Sequence, residues 1–122
     1  MIKLVYCLCR RPGMSREDFQ AYWFDKHAPL VKVHAESLGI ARYVQVHTQT
    51  GTLSDGIRAS RGAPEEYDGV AELWFDDDAF ANPRPKAADA GRILKEDEAK
   101  FIDFSKSPVF FAVERTIISG NA

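Results

Sequence analysis

The chain has little cysteine, no clustered excess of basic residues, no long apolar run and no glycine motif of the kind that cradles phosphate. Each shortage excludes something. Cys7 and Cys9 are the only two cysteines in 122 residues. They stand two apart on a strand-like run, where a local disulfide is unfavourable, so free thiols in a reducing compartment are expected. Sixteen Lys and Arg against eighteen Asp and Glu give a net charge of -2. That balance removes the electrostatic case for a nucleic-acid partner, which needs a basic surface to neutralise phosphates. No apolar stretch approaches the ~20 residues of a membrane span. No charged leader ahead of such a run opens the sequence either, so a cytoplasmic protein with no membrane partner is expected. Without a glycine-rich phosphate loop there is no motif for a nucleotide cofactor. At 45% hydrophobic content the chain has the size and apolar share of one domain, residues 1–122.

What is present is organised around Ser15 to Val31. Phe19, Tyr22, Trp23, His27 and Leu30 recur at helical spacing, so an apolar, mostly aromatic stripe carries one imidazole among its members. Ser15 is a good N-cap, and Glu17 with Asp18 puts negative charge in the first turn. Pro29 disfavours the α conformation at Ala28, so the helix is expected to end or kink just after His27. A second helical piece is expected from Pro29 to Leu38, with Gly39 as its stop and Leu30, Val33, His34 and Leu38 facing inward.

Around this segment the pattern alternates between strands and helices. Ile2 to Cys9 reads as a strand buried on both faces, and Arg42 to Thr48 as a strand with Tyr43, Gln45 and His47 on one side. Gln49 to Glu66 has no usable period and reads as a long connection, mobile or a lid. Tyr67 to Phe75 reads as a third strand, with Asp68, Val70, Glu72 and Trp74 sharing one face. Ala87 to Phe104 is helical in composition, with Ile93, Leu94, Phe101 and Phe104 inward, and Pro108 to Ile118 reads as a last strand. The order strand, helix, strand, strand, helix, strand is that of an α+β, ferredoxin-like four-stranded antiparallel sheet with helices on one face. The uncovered face then calls for a second copy, giving a homodimer paired through the sheets.

Ser15, Glu17, Phe19, Tyr22, Trp23, His27, Pro29 and Leu30, then Tyr67 to Phe75, then Asp97-Glu98 with Phe101-Ile102-Asp103, resemble the EthD family. The likeness leaves out only the Gln49 to Glu66 stretch within the part it covers. It implies membership of the dimeric α/β-barrel superfamily, with a pocket between sheet and helices. That superfamily includes cofactor-free monooxygenases, lactone isomerases, polyketide cyclases and haem-binding proteins. For EthD-like proteins the implied chemistry is oxidation of small organic molecules, or dehydration and tailoring of aromatic polyketides, with no cofactor and with oxidation ranked first.

His27 is the leading candidate for a catalytic base, because an imidazole titrates near neutrality and burial or a carboxylate neighbour tunes it. The plainer alternative is a structural histidine closing a helix. Glu72 is the candidate carboxylate for stabilising His27, or else it pairs with Arg42 or Arg115. Tyr22, Trp23 and Trp74 are candidate stacking groups for a planar ligand, against a role as plain core. Gln45 and His47 are candidate hydrogen-bonding groups. His27, His47 and Glu72 are suitable ligand types for a metal but lack any local pairing, so no metal site is assigned. No axial ligand set for haem is identifiable. Asp97, Glu98 and Asp103 read as a solvated helix face. The expected activity is that of a cofactor-free oxidoreductase on an aromatic or polyketide-like compound after proton abstraction by His27. A lyase or dehydratase and a non-catalytic ligand-binding protein are the alternatives, and a solid dimer with no pocket is the plainest one.

Overall fold

A computed structural model describes residues 1–120. It has the ferredoxin-like α+β fold. Strands β1 (Ile2–Leu8), β2 (Ile40–His47), β3 (Gly69–Phe75) and β4 (Val109–Ala112) form one antiparallel sheet in the order β2-β3-β1-β4. The register pairs Leu4 with Leu73 and with Phe111, and Tyr43 with Leu73. Because side chains alternate along a strand, Leu4, Tyr6, Leu8, Tyr43, Ala71, Leu73 and Phe75 share one face. Lys3, Val5, Cys7, Arg42, Val44, Val46, Val70, Glu72, Trp74 and Phe110 share the other.

The α-helices are α1 (Arg16–Tyr22), α2 (Ala28–Leu38), α3 (Thr52–Arg61) and α4 (Ala87–Glu98), and all but α3 cover the first face. Ser15 caps α1 as expected, its side chain accepting from the Asp18 N–H. Leu8, Phe19, Trp23, Ala71, Phe101 and Ile102 form a continuous buried cluster. Each large member contributes about 1.5–3 kcal/mol by leaving water. Gly69 is required here by packing. A Cβ on it would collide with the six-membered ring of Trp23, so only glycine lets the indole lie flat against β3.

The expected break after His27 takes a different form. Trp23–His27 is a π-helical turn that joins α1 directly to α2, with the Ala28 N–H donating to the carbonyl of Trp23. Pro29 offers no N–H and its ring crowds the carbonyl four residues back, and a wider turn accommodates both without ending the helix. The inserted residue also rotates the whole of α2 about its axis. Val31 is buried whereas Val33 is 74% exposed, which corrects the expectation for Val33, while Leu38 lines the interior and Leu30 and His34 are half-buried. Gly39, at φ 73°, ends α2 in the left-handed conformation.

Three further boundaries depart from expectation. Residues 52–61 form α3 instead of an irregular connection, yet none of its residues is buried and Leu53 is 89% exposed. The helix α4 stops at Glu98, and Phe104 opens a short 3-10 turn and is exposed. β4 covers only Val109–Ala112, and Ile117 and Ile118 lie outside it, both exposed. No helix among the described residues is long and apolar enough to cross a membrane.

A buried ion cluster fixes one edge of the layer. Asp68, just before β3, accepts from the Arg10 backbone N–H at 2.7 Å, from Arg10 Nη1 at 2.6 Å and from Arg16 Nε at 2.8 Å. Burial pushes the Asp68 carboxyl up, but the two guanidiniums outweigh it and hold the group below its ordinary range. The ends of β1 and β3 and the start of α1 are thereby tied together.

Candidate active site

Between the sheet and the helices lies a cavity of about 260 Å³. Its walls are mostly apolar: Leu4, Leu8, Val31, Leu38, Ile40, Leu73 and Leu94 are among them. Among the described residues four titratable side chains reach it, His27, Glu98, Tyr6 and Tyr43, and no Lys or Arg does. A larger hollow of about 380 Å³ beside Cys9, Arg10 and Asp103 lacks this apolar wall, and its Arg10 and Asp68 are already paired.

The π turn delivers His27 to this cavity, 5% exposed and 5.1 Å from the ring of Phe101. Its Nδ1 lies 2.8 Å from Oδ2 of Asp97, the residue before the end of α4. The other carboxylate oxygen accepts from the Tyr22 hydroxyl at 2.6 Å. Lys100 Nζ stands 3.4 Å from that same oxygen.

Three titrations follow from this geometry. Burial lowers the pKa of His27, against an upward pull from Asp97. Burial raises that of Asp97, but hydrogen bonds from Tyr22 and His27 overcome it and leave the carboxyl below its ordinary range. Burial, then the bond to Asp97, pushes the Tyr22 hydroxyl up to about 12. A neutral imidazole beside an ionised carboxylate carries its proton on Nδ1 and donates it there. Nε2 is then left with a free lone pair, the arrangement a general base requires.

The sequence-expected residues divide between this cavity and other places. His27 and Trp23 line it. Tyr22 does not, because its hydroxyl is committed to Asp97. Gln45 works as a brace: its Nε2 donates to the Trp23 carbonyl at 2.9 Å and to the Tyr43 hydroxyl at 2.8 Å, tying the π turn to β2. His47 bonds to Gln45 Oε1 at 2.8 Å, stacks on Trp23 with centroids 4.6 Å apart, and opens onto a different groove beside α3.

Glu72 and Trp74 are on the opposite face of the sheet, which corrects both expectations. Glu72 meets Lys3 Nζ at 3.2 Å, and is neither a partner of His27 nor paired with Arg42 or Arg115. The Trp74 ring sits between Lys3 and Arg42, 4.5 and 4.4 Å from its centroid, and its N–H donates to Glu114. His27, His47 and Glu72 therefore do not converge.

Asp97, Glu98, Tyr6 and Tyr43 were not singled out as site residues by the sequence pattern. A signal for Asp97 was available: it continues the inward stripe Ala90, Leu94, Asp97, Phe101 at helical spacing, and all four are buried.

Fold and cavity together define the class: a ferredoxin-like α+β domain with a histidine and a carboxylate hydrogen-bonded beside an apolar hollow. Residues 11–105 match the EthD domain model, and the chain belongs to that family. Solved structures agree on the fold. An EthD family protein from Bacillus halodurans superposes with a TM-score of 0.62 at 16% identity, covering 94% of this chain and 100% of that one. An EthD-like protein from Ralstonia eutropha gives 0.59 at 22% identity, covering 94% and 96%. A ferredoxin-like protein from Bacteroides fragilis, described as dimeric and of unknown function, gives 0.54 at 11%, covering 91% and 93%. Two curated relatives are similar over shorter stretches. Decarboxylase claH of Passalora fulva is 40% identical over 43 residues, 35% of this chain and 28% of that protein. Decarboxylase dmxR15 of Cryptosporiopsis is 35% identical over 49 residues, 40% and 34%. The matched stretches thus span about a third of each curated relative.

Proposed function

We propose that this EthD domain is a small-molecule enzyme that begins its reaction by proton transfer to His27 from a planar, largely apolar ligand held in the cavity, and that the outcome is loss of carbon dioxide. The observation that carries the reading is the 2.8 Å bond between His27 Nδ1 and Asp97 at the wall of an apolar cavity. In this reading Asp97 fixes the tautomer and stabilises the imidazolium, and Tyr22 holds Asp97 in place. Nε2 removes the proton of a phenolic or enolic hydroxyl, and the electron-rich anion is ready for the next step.

Two considerations favour a lyase outcome over the oxidation expected from the resemblance alone. The two curated relatives are named decarboxylases. Among the described residues no Lys or Arg lines the cavity, so a carboxylate drawn in gives up hydration with no cation to offset it. Losing neutral carbon dioxide and delocalising the charge relieves that cost. We further propose one domain over residues 1–122 and a homodimer formed through the outer face of the sheet, where Val5, Val44, Val46, Val70 and Phe110 have no cover among the described residues. The neighbour described as dimeric supports the second proposal.

The test is incubation of the purified chain with 2,4-dihydroxybenzoate and benzoylacetate under air, following carbon dioxide and oxygen together. Wild type should release carbon dioxide without consuming oxygen, and His27→Gln should lose about 100-fold or more in kcat/KM. Oxygen uptake would instead favour the oxidoreductase. Saturable quenching of tryptophan fluorescence with no product would favour a binding protein.

A further inference from the structure

We propose that Glu98 is a second catalytic residue of the cavity, the proton donor opposite the His27 base, and that its ligand is a carboxylic acid with a hydroxyl or keto oxygen beside the carboxylated carbon. This rests on the decarboxylating reading above and adds to it a second residue and a substrate class.

Glu98 closes α4 and occupies the row of Leu94 and Ile102, four residues to either side, both buried. That row faces the cavity, where an apolar side chain would pack at less cost than a carboxyl. Asp97 turns to His27 and Tyr22, whereas Glu98 enters the cavity and is the only carboxyl among its lining residues.

Tyr6 from β1, Tyr43 from β2 and His27 from the π turn line the same cavity, and Asp97 and Lys95 flank Glu98 on its own helix. β3 and β4 present Ala71, Leu73, Phe75 and Val109, which do not titrate. Burial is the largest influence on Glu98 and Asp97 adds to it, against opposing pulls from the Tyr6 hydrogen bond and Lys95, so its pKa rises to about 7. At neutral pH a large share of Glu98 therefore carries a proton, while the lowered pKa of His27 leaves that ring free to accept one. Acid and base are thus separated by environment within one cavity.

The chemistry balances without an oxidant or reductant. His27 Nε2 takes the proton of the substrate hydroxyl, which raises electron density at the carboxylated carbon. The Glu98 O–H bond breaks and a new C–H bond forms at that carbon. The bond from that carbon to the carboxylate then breaks, its electron pair returns to the ring or enol, and carbon dioxide leaves. His27 returns its proton to the substrate oxygen, and Glu98 regains one from solvent. One proton replaces one carbon dioxide.

The experiment uses the full chain in D₂O with the same two probes, comparing wild type, Glu98→Gln and Glu98→Asp. Circular dichroism and thermal melting serve as checks of fold. Wild type should place one deuterium at the vacated ring carbon of 2,4-dihydroxybenzoate, and its kcat/KM should fall as pH rises through about 7, where the donor ionises. Glu98→Gln keeps a hydrogen-bonding group but has no acidic proton. It should lose about 100-fold in kcat with KM within about threefold. Glu98→Asp should recover part of the rate and keep an alkaline limb. If Glu98→Gln or, should that variant not fold, Glu98→Leu turns over at the wild-type rate with the wild-type pH profile, the donor role is overturned and the His27 reading stands. If wild type releases no carbon dioxide from either probe, the decarboxylating reading and the donor role fall together.

Discussion

The two faces of the sheet carry similar residue types and put them to different use. On the covered face, Asp97 bonds to His27 and Tyr22, and Gln45 donates to the Tyr43 hydroxyl and the Trp23 carbonyl, all at 2.6 to 2.9 Å. On the open face, Lys3, Glu72, Arg42, Trp74 and Glu114 form ion pairs and cation–π contacts with the side chains partly in water. A carboxylate on the first face is costly to leave unpaired and able to tune a neighbour. One on the second is screened by solvent and contributes little. Residue type alone is therefore a poor guide to function in this chain. What decides is which face of the sheet the helices cover.

The largest effect that would sharpen this contrast is expected at Asp97. Replacement by Ala leaves the Tyr22 hydroxyl and the His27 Nδ1–H without an acceptor in a buried site, at about 1–3 kcal/mol for each. A fall of several degrees in Tm should accompany it. Asp97→Asn keeps the volume and should cost less stability, while still reducing turnover, because it removes the ionised acceptor that fixes the imidazole. The pH dependence has a definite sign. His27 has a lower pKa folded than unfolded, so its contribution to stability is complete above its ordinary value of 6.5 and is lost as pH falls through and below it. Without Asp97 the only upward pull on His27 disappears, so the acid limb of kcat/KM should move to lower pH. An unchanged limb in a folded Asp97→Asn variant would separate the two residues functionally and erase the distinction drawn between the faces.

The next effect concerns the open face. Val44 stands directly across from Glu72 in the β2–β3 register. Val44→Glu therefore places two carboxylates side by side on the surface proposed to pair with a second copy, where like charges and lost apolar contact both oppose association. Sedimentation velocity should show a shift from dimer to monomer at micromolar concentration, with the His27 cavity unaltered in its affinity for a fluorescent phenol. A monomeric wild type, or a variant as dimeric as wild type, would mean that the sheets do not meet.

How much of this was legible beforehand follows the same division. The Ser15 cap, the Gly39 stop, the first three strands and the inward path of His27 are all local, and local spacing and capping chemistry sufficed to read them. Glu72 was misassigned because β1 and β3 are apolar on both faces, so alternation shows that two faces exist without saying which one the helices cover. Asp97 was passed over because Lys95 to Lys100 is dense in charge and reads as solvated, although its phase with Leu94 and Phe101 matched the buried stripe. The helix α3 is hard to read because a Gly- and Ser-containing segment has weak intrinsic preference, and its apolar stripe amounts to Leu53 and Ile57, one turn apart and both exposed. The π turn was the hardest to foresee. Pro29 signals a disturbance but not whether the chain breaks or absorbs it, and the Gln45 bond to the Trp23 carbonyl that accompanies the turn is a tertiary feature.

The smallest effect is expected at Glu72, and it is the most discriminating. Glu72→Gln removes the partner of Lys3 at 3.2 Å, an ion pair whose side chains are 12% and 29% exposed. Lys3 retains Glu114 at 3.7 Å and the Trp74 ring beneath it, so its charge is not left without company. The loss should lie within about 0.5 kcal/mol, in the range of partly solvated pairs, and diminish further as salt is added. Turnover and its pH limbs should match wild type, since the sheet itself stands between this carboxylate and the imidazole. A Glu72→Gln variant that moved the acid limb of kcat/KM as far as Asp97→Asn does would mean that the sheet does not insulate its two faces, and the assignment of Asp97 as the partner of His27 would lose its meaning.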